Sequence, residues 1–259
     1  MLASSLPAGW RIAIIFVAGI AAGISNGIAG GGTFLSFPTL LALGIPPLQA
    51  NVSSSVGVVP STFGGIRGFR RELTEHKALI RALMPICFVG SVTGTALLLL
   101  SSEATFRSVV PWLIGTATVV FALAPRLTVL LAKIGKKESA AVRRRSLFVG
   151  VFFAAIYGGY FGAGLGIVLL AIMALTLPHD LNVIQGIRSA LALMINFVAA
   201  VIFVIRGHLA LQAVWALLAG ALIGGWLGTL LIRRLSPTLV RVLVTIIGVV
   251  TTIKLAIGG

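Results

Sequence analysis

Apolar segments long enough to cross a membrane fill almost the whole chain and restrict it to one class of fold. Hydrophobic residues make up 58% of the 259 residues and charged residues only 10%, whereas soluble domains carry roughly 25% charged residues. A helix needs about 20 predominantly apolar residues to cross a bilayer. Eight apolar blocks approach or exceed that length, at about residues 10–44, 48–66, 79–100, 107–131, 147–177, 182–205, 209–232 and 238–257. The chain is therefore predicted to be an all-α polytopic membrane protein.

The basic residues cluster between the apolar blocks. The formal net charge is +15, and Lys and Arg are densest at residues 67–81 and 126–145. Cytoplasmic loops of membrane proteins collect Lys and Arg in this way. The clustering therefore favours contact with membrane lipids and indicates no nucleic-acid partner.

The chain contains two copies of one pattern. Each copy has a glycine cluster inside a long apolar block, then a proline, and later a Gly-x-x-x-Gly pair in another apolar block. The two copies lie 130 to 136 residues apart. The corresponding features are Gly30–Gly32 and Gly162–Gly164, Pro46 and Pro178, Arg70 and Arg206, and Gly90/Gly94 and Gly220/Gly224. A duplicated unit with a glycine-broken segment at the same place in each half is the sequence pattern of a secondary transporter.

The first and fifth blocks are too long for a single crossing. Residues 10–44 would form a helix about 50 Å long, whereas the hydrocarbon core of a bilayer is about 30 Å thick. Each of these blocks is predicted to break into two arms at its glycine cluster. The second arms are predicted to be short, broken helices.

Loop charges indicate how the two halves are oriented. In the first half the loop after block two is strongly basic and the loop after block three is not, whereas in the second half this bias is reversed. The residues compared are Arg67, Arg70, Arg71, Lys77 and Arg81 after block two; Glu103 and Arg107 after block three; Arg206 and His208 after block six; and Arg233, Arg234 and Arg241 after block seven. Lys and Arg mark the cytoplasmic side, so the reversal predicts inverted repeats of 5+5 crossings with both termini outside. The alternative is 4+4 parallel crossings with both termini inside.

This organisation divides the chain into three regions. Residues 1–131 form an N-terminal membrane repeat, 132–146 a basic cytoplasmic linker and 147–259 a C-terminal membrane repeat.

Several short motifs follow one another in a set order and spacing: the glycine-rich first segment, Pro46, Ala50-Asn51 with the hydroxyl residues that follow, Pro60, Gly64-Gly65, Arg70-Arg71-Glu72, Gly162, Gly164 and Asn196. In this order and spacing the chain resembles the sulfite exporter TauE/SafE family of anion transporters, from about Ala18 to Leu255. Relatives often have Thr-Asn-Thr where this chain has Ser53-Ser54-Ser55. The resemblance implies export or exchange of small oxyanions such as sulfite, sulfoacetate or related organosulfonates by a multi-pass protein of the bacterial cell inner membrane.

Polar residues at the start of block two form one candidate anion site. Asn51, Ser53 and Ser54 follow Pro46-Pro47. If a helix begins there, its free N–H groups and its positive dipole end would favour an anion. The alternative is that Asn51 or Ser53 only caps the helix.

Arg188 is the candidate residue for direct contact with the anion. It lies about six residues into block six, roughly 9 Å along a helix, and Gln185 and Asn196 share its helical face. An arginine inside a membrane segment marks a pathway or a paired site by default, and its planar fork suits a sulfonate or carboxylate. The alternatives are that Arg188 snorkels to the interface and that Asn196 makes an interhelical hydrogen bond.

The glycine clusters offer close approach of the backbone to another group. Gly31, Gly32, Gly162 and Gly164 lack the βαβ context of a dinucleotide-binding fingerprint. They are predicted either to approach the substrate or only to pack against a neighbouring helix. The Gly90/Gly94 and Gly220/Gly224 pairs are interpreted as helix-packing sites.

The acidic residues and histidines argue against enzymatic chemistry. All five acidic residues (Glu72, Glu75, Glu103, Glu138 and Asp180) and all three histidines lie in or beside loops. We therefore expect no catalytic residues, no metal site and no cofactor. The predicted function is a secondary transporter of small anions, and the alternative is a non-transporting membrane subunit or a small-solute channel. The sequence leaves a homodimer open.

Overall fold

All of the secondary structure that the computed structural model describes is helical. The described residues are 7–28, 30–63, 69–135, 138–207, 209–231 and 237–257. Eleven α-helices and one 3-10 turn, Val59–Ser61, lie within these ranges. The helices are α1 (Ala8–Ile28), α2 (Thr33–Ala42), α3 (Pro47–Gly57), α4 (Arg70–Glu75), α5 (Lys77–Leu100), α6 (Glu103–Gly135), α7 (Ala140–Tyr160), α8 (Leu165–Thr176), α9 (Leu181–Arg206), α10 (Leu211–Leu231) and α11 (Pro237–Ile257). The predicted all-α class is confirmed.

Six of the described helices are long and apolar enough to cross a membrane. By length and composition these candidates are α1, α5, α6, α9, α10 and α11. Helix α7 has 21 residues and carries Arg143, Arg144 and Arg145 in its first two turns. Several predicted motif and loop residues lie outside the described ranges, namely Gly64, Gly65, Arg67, His208, Arg233 and Arg234.

Both of the longest apolar blocks break at their glycine clusters, as their length predicts. The first yields α1 and α2, and the fifth yields α7 and α8. Helices α2 and α8 have 10 and 12 residues and extend only about 15 and 18 Å. Gly164 precedes α8 with φ +74°, a left-handed conformation that glycine adopts without a steric penalty. Each half therefore contains an apolar helix that is too short to cross a bilayer.

The second apolar block does not form one spanning helix. Helix α3 ends at Gly57 after 11 residues and is followed by the 3-10 turn. Pro60 lies in that turn and has no N–H to donate to a helical hydrogen bond. The apolar block over 48–66 is therefore divided between α3, the 3-10 turn and the residues that follow.

The two Gly-x-x-x-Gly pairs are helix-packing sites, as interpreted from the sequence. Gly90 and Gly94 of α5 lie against Phe152 and Ile156 of α7, and the second pair, Gly220 and Gly224 of α10, lies against α1 at Phe16 and Ile20. A Cβ atom at Gly94 would overlap the carbonyl oxygen of Ile156, and one at Gly224 would overlap that of Ile20. Only glycine allows these backbones to approach so closely.

Helices of the first half pack on helices of the second half in two matching sets of pairs. If the six-residue α4 is left out of the count, the first helix of each half packs on the fourth of the other, since α1 contacts α10 and α7 contacts α5. The second helix of each half packs on the fifth of the other, since α2 contacts α11 and α8 contacts α6.

The two short helices approach the middle of the bundle from opposite ends. The turn after α2 lies at the end where Arg11 donates to the Leu43 carbonyl (2.8 Å) and the Leu48 amide donates to Glu103 (3.2 Å). The turn after α8 lies at the other end, where the His76 and His179 ring centroids are 4.7 Å apart. Helix α5 runs between these ends, from Lys77 to Leu100. The N-termini of α2 and α8 therefore face each other inside the protein.

Candidate functional site

Helix α9 places Arg188 between the two glycine breaks. The Arg188 side chain is only 6% exposed, so it does not snorkel to the surface of the bundle. A Cβ atom built on Gly30 or on Gly166 would lie 2.6 Å from the same guanidinium nitrogen, Nη1 of Arg188. A Cβ atom on either glycine would also lie 3.4 Å from the Cα atom of the other. The guanidinium is thus held between two backbones that only glycine brings so close.

A small cavity of about 50 Å³ surrounds this guanidinium. Its lining comes from the end of α1, the start of α2, the end of α3 with the 3-10 turn, the start of α8, and α9. The lining residues are Asn26, Gly30, Gly31, Thr33, Val58, Ser61, Thr62, Gly162, Leu165, Gly166, Arg188, Ser189, Ala192 and Asn196. Both halves of the chain therefore contribute to one polar cavity.

Arg188 has no ionic partner among the residues that the structure describes. Its Nε atom is buried and makes no hydrogen bond with any of them. The one ion pair among the described residues is Arg71 with Glu75, which is exposed and joins neighbouring turns of α4. None of the five acidic residues is buried. A buried charge without a partner is costly, so the site is suited to a ligand that supplies the missing negative charge.

Two helix N-termini add to the positive potential of the cavity. Helix α2 begins at Thr33 and α8 at Leu165, and both residues line the cavity. A helix N-terminus is equivalent to roughly half a positive charge and binds anions. Together with the buried, unpartnered guanidinium, these two helix ends make the cavity electrostatically positive.

Asn26 holds the first glycine break in position. Its Oδ1 atom accepts hydrogen bonds from the Gly31 amide (2.9 Å) and the Gly32 amide (2.7 Å), and its Nδ2 atom donates to Ser61 Oγ (2.8 Å). This one side chain therefore joins the end of α1, the start of α2 and the 3-10 turn.

The hydroxyl groups of the lining mostly donate to the backbone. Ser61 donates to the Val58 carbonyl (2.5 Å), Thr62 to that of Val59 (2.7 Å) and Ser189 to that of Gln185 (2.8 Å). The side chains of Asn196 and Thr33 make no hydrogen bond among the described residues. The side-chain donors left for a ligand are therefore the Arg188 guanidinium, the Asn196 amide and the Thr33 hydroxyl.

Four of the predicted site residues line the cavity, and three others lie near it. The lining includes Gly31, Gly162, Arg188 and Asn196. Gly32 packs on α1 against Ala22, Gly164 packs against Phe34, and the Gln185 Oε1 atom is buried without a hydrogen-bond partner. Gly32, Gly164 and Gln185 therefore surround the cavity without lining it.

The remaining three predicted residues lie in a separate network. Asn51, Ser53 and Ser54 are all 0% exposed. The Asn51 Nδ2 atom donates to the Tyr160 carbonyl (3.0 Å), and Ser53 Oγ accepts from the Ala210 amide (2.9 Å). Ser54 Oγ is 2.6 Å from Ser36 Oγ. These bonds join α3 to neighbouring segments of both halves.

The capping interpretation of Asn51 and Ser53 is wrong. Helix α3 begins at Pro47, after Pro46, and has no side-chain cap. Proline is favoured at the first helical position because its missing N–H has no partner there in any case. Contact of Asn51, Ser53 or Ser54 with a substrate stays a prediction.

Sequence reasoning did not assign several lining residues to the site. Gly30 and Gly166 belong to the duplicated glycine pattern, and their place in the two breaks is the signal that could have identified them. Asn26, Ser61 and Thr62 carry no such signal, because an amide or hydroxyl near a helix end is most often a local cap.

Comparison with known proteins identifies the family. The model of the sulfite exporter TauE/SafE family matches residues 15–255. A probable membrane transporter protein of Haemophilus influenzae is 25% identical over 244 residues, covering 94% of both chains. The probable membrane transporter protein YfcA of Escherichia coli is 25% identical over 255 residues, covering 94% of this chain and 89% of that protein. No solved structure matches the chain. The chain belongs to the TauE/SafE family and is a multi-pass membrane transporter.

Proposed function

We propose that this TauE/SafE-family transporter moves small oxyanions through the cavity at Arg188. The observation that carries the proposal is a buried guanidinium, unpaired within the described part of the chain, between the N-termini of two short helices. An anion bound there would neutralise the charge and accept charge-assisted hydrogen bonds. The fork of donors on the guanidinium matches a planar or pyramidal group with two adjacent oxygens.

The proposed substrates are sulfite, sulfoacetate or related organosulfonates, exported across the bacterial inner membrane. The family description names sulfite export, which supports this substrate class. The charge of the site also supports it. One guanidinium and two helix ends of about half a charge each suit an anion with one or two negative charges.

The proposed transport unit is an inverted repeat of 5+5 segments. The first repeat contains α1, α2, α3, α5 and α6, and the second contains α7 to α11. Two features support the inversion. The short helices α2 and α8 approach the middle of the bundle from opposite ends, and α1 packs on α10 as α7 packs on α5. In such repeats, rocking of one bundle against the other exposes a fixed midplane site to each side in turn.

Inversion predicts where reporters fused to the chain will lie. A reporter fused after Gly259 should be periplasmic, and one inserted at Ser139 should be cytoplasmic, because an odd number of crossings per half puts the termini opposite the linker. Alkaline phosphatase and green fluorescent protein fusions in intact cells would measure this. A cytoplasmic C-terminus would contradict the 5+5 arrangement and favour 4+4.

Binding of a specific anion should stabilise the purified protein. A ligand at about 100 times its Kd that binds only the folded state adds roughly 2.7 kcal/mol to the free energy of unfolding. We expect sulfite or sulfoacetate to raise the melting temperature in detergent with a saturable dose response, and chloride at equal ionic strength to have no such effect. If no oxyanion or organosulfonate stabilises the protein, the alternative of a non-transporting subunit or a channel would be favoured.

A further inference from the structure

Arg188 is the one charged residue among the described residues that line its cavity, and none of the described acidic residues pairs with it. The other lining residues are neutral and do not titrate near physiological pH. All five acidic side chains lie at the ends of helices or in loops, none of them buried. The net charge of the cavity is therefore set by Arg188 and by any anion that is bound there.

This arrangement makes the free energy of closing the site differ between the two transitions of a carrier, one with an anion bound and one without. A carrier must pass through a state in which its site is closed to both sides, once with substrate and once without. With an anion bound, the closed cavity holds a neutralised pair. Without an anion it holds a bare cation in an environment of low dielectric constant, which is strongly unfavourable.

Proton release cannot remove the unfavourable charge. The arginine side chain stays protonated in proteins, and no carboxylate lies in the bundle to neutralise it. A bound anion is therefore needed to form the closed state each time the carrier changes its orientation, in either direction.

We propose that the protein is an obligatory anion exchanger, which returns to its starting orientation only with a second anion bound at Arg188. This inference rests on the proposed function, because it uses the same cavity. It adds that the movement of one oxyanion is coupled to the opposite movement of another, with no proton or cation as the coupling ion.

Counterflow in proteoliposomes tests the proposal with the full chain. Vesicles are loaded either with unlabelled sulfite or with gluconate, and the uptake of radiolabelled sulfite is measured. Potassium and valinomycin on both sides remove any limit from charge accumulation, which would otherwise slow uptake into the gluconate vesicles. Radiolabelled sulfoacetate is tested in the same way. We expect initial uptake to be at least about 100-fold faster into vesicles that contain the unlabelled substrate, because closure without an anion is so costly.

Arg188→Lys provides a second, independent test. A buried lysine loses its proton readily, so the variant can close without an anion by becoming neutral. Its ratio of loaded to unloaded uptake should fall by at least about fivefold between about pH 6 and about pH 9, because deprotonation removes the bare charge. This comparison uses sulfoacetate, because its sulfonate and carboxylate stay ionised over that range whereas sulfite changes its charge there. The ratio of the parent protein should then stay constant. Arg206→Gln, at the exposed end of α9, is the matched control and should keep the parental ratio.

The outcomes separate exchange from transport. Saturable uptake with a ratio below about ten would overturn obligatory exchange and leave anion transport standing. A parental ratio that falls with pH as steeply as that of Arg188→Lys would also overturn it. The absence of saturable uptake of either anion into loaded vesicles would remove the proposed function, and exchange with it.

Discussion

Arg188→Gln should abolish the stabilisation of the protein by its anion, with a loss of affinity of about 100-fold or more. Hydrogen bonds to a charged partner are worth roughly 1.5–3 kcal/mol, and the neutral amide also removes the one full charge that the cavity offers. With an anion bound, the side chain of Arg188→Lys is held in its charged form but lacks the planar fork, so the affinity should fall about tenfold. Isothermal titration of the purified variants with sulfite and sulfoacetate would measure both losses.

The same variants distinguish a binding role from a structural one. Without anion, Arg188→Gln should keep or raise the melting temperature, because it removes a buried charge that has no partner. A residue needed for folding would instead lower it. Arg206→Gln, exposed on the same helix, should bind the anion as the parent does. Folded Arg188 variants that bind within about twofold of the parent would exclude this residue from the site.

Gly166→Ala should weaken anion binding about tenfold or more while the protein still folds. The added methyl group would lie 2.6 Å from the Arg188 Nη1 atom, so the guanidinium must move. The guanidinium is the far end of a flexible side chain, and α8 tolerates alanine at a helical position. The substitution should therefore lower the affinity for the anion more than the stability of the fold. Isothermal titration calorimetry and thermal unfolding would measure these two effects separately.

Gly9→Ala is the matched control for this prediction. Gly9 and Gly166 are both the second residue of a helix, but a Cβ atom on Gly9 meets nothing within 4 Å. The control should bind the anion with parental affinity. If Gly166→Ala did the same, the guanidinium would not need its present position between the two breaks to bind the anion.

The helices and their breaks could be predicted because their causes are local. A run of residues 10–44 cannot remain one helix inside a 30 Å layer, and glycine is where the break costs least. Arg188 was identifiable for a similar reason, since an arginine within an apolar block requires an explanation wherever the helix lies. The glycine pairs also followed from spacing alone, as residues four apart share one helix face.

The roles of the short polar residues depended on contacts between distant segments. Asn51, Ser53 and Ser54 look like a binding motif in sequence, but their partners Tyr160, Ala210 and Ser36 lie 18 to 157 residues away. An amide or hydroxyl can serve a ligand or the backbone equally well, and its choice is set by which acceptor packing brings within about 3 Å.

The sequence by itself determined that the chain is a helical membrane protein with one unusual intramembrane charge, and it predicted two copies of one unit. Those properties follow from the length of the apolar segments, the positions of the glycines and the cost of a charge in a membrane, all of which can be recognised from short stretches of sequence. Only the tertiary structure decided that Gly30 and Gly166 meet at the Arg188 guanidinium and that Asn26 holds the first break. Those contacts join residues far apart in the chain, because two short helices approach the centre from opposite ends, and no local pattern encodes which groups meet there.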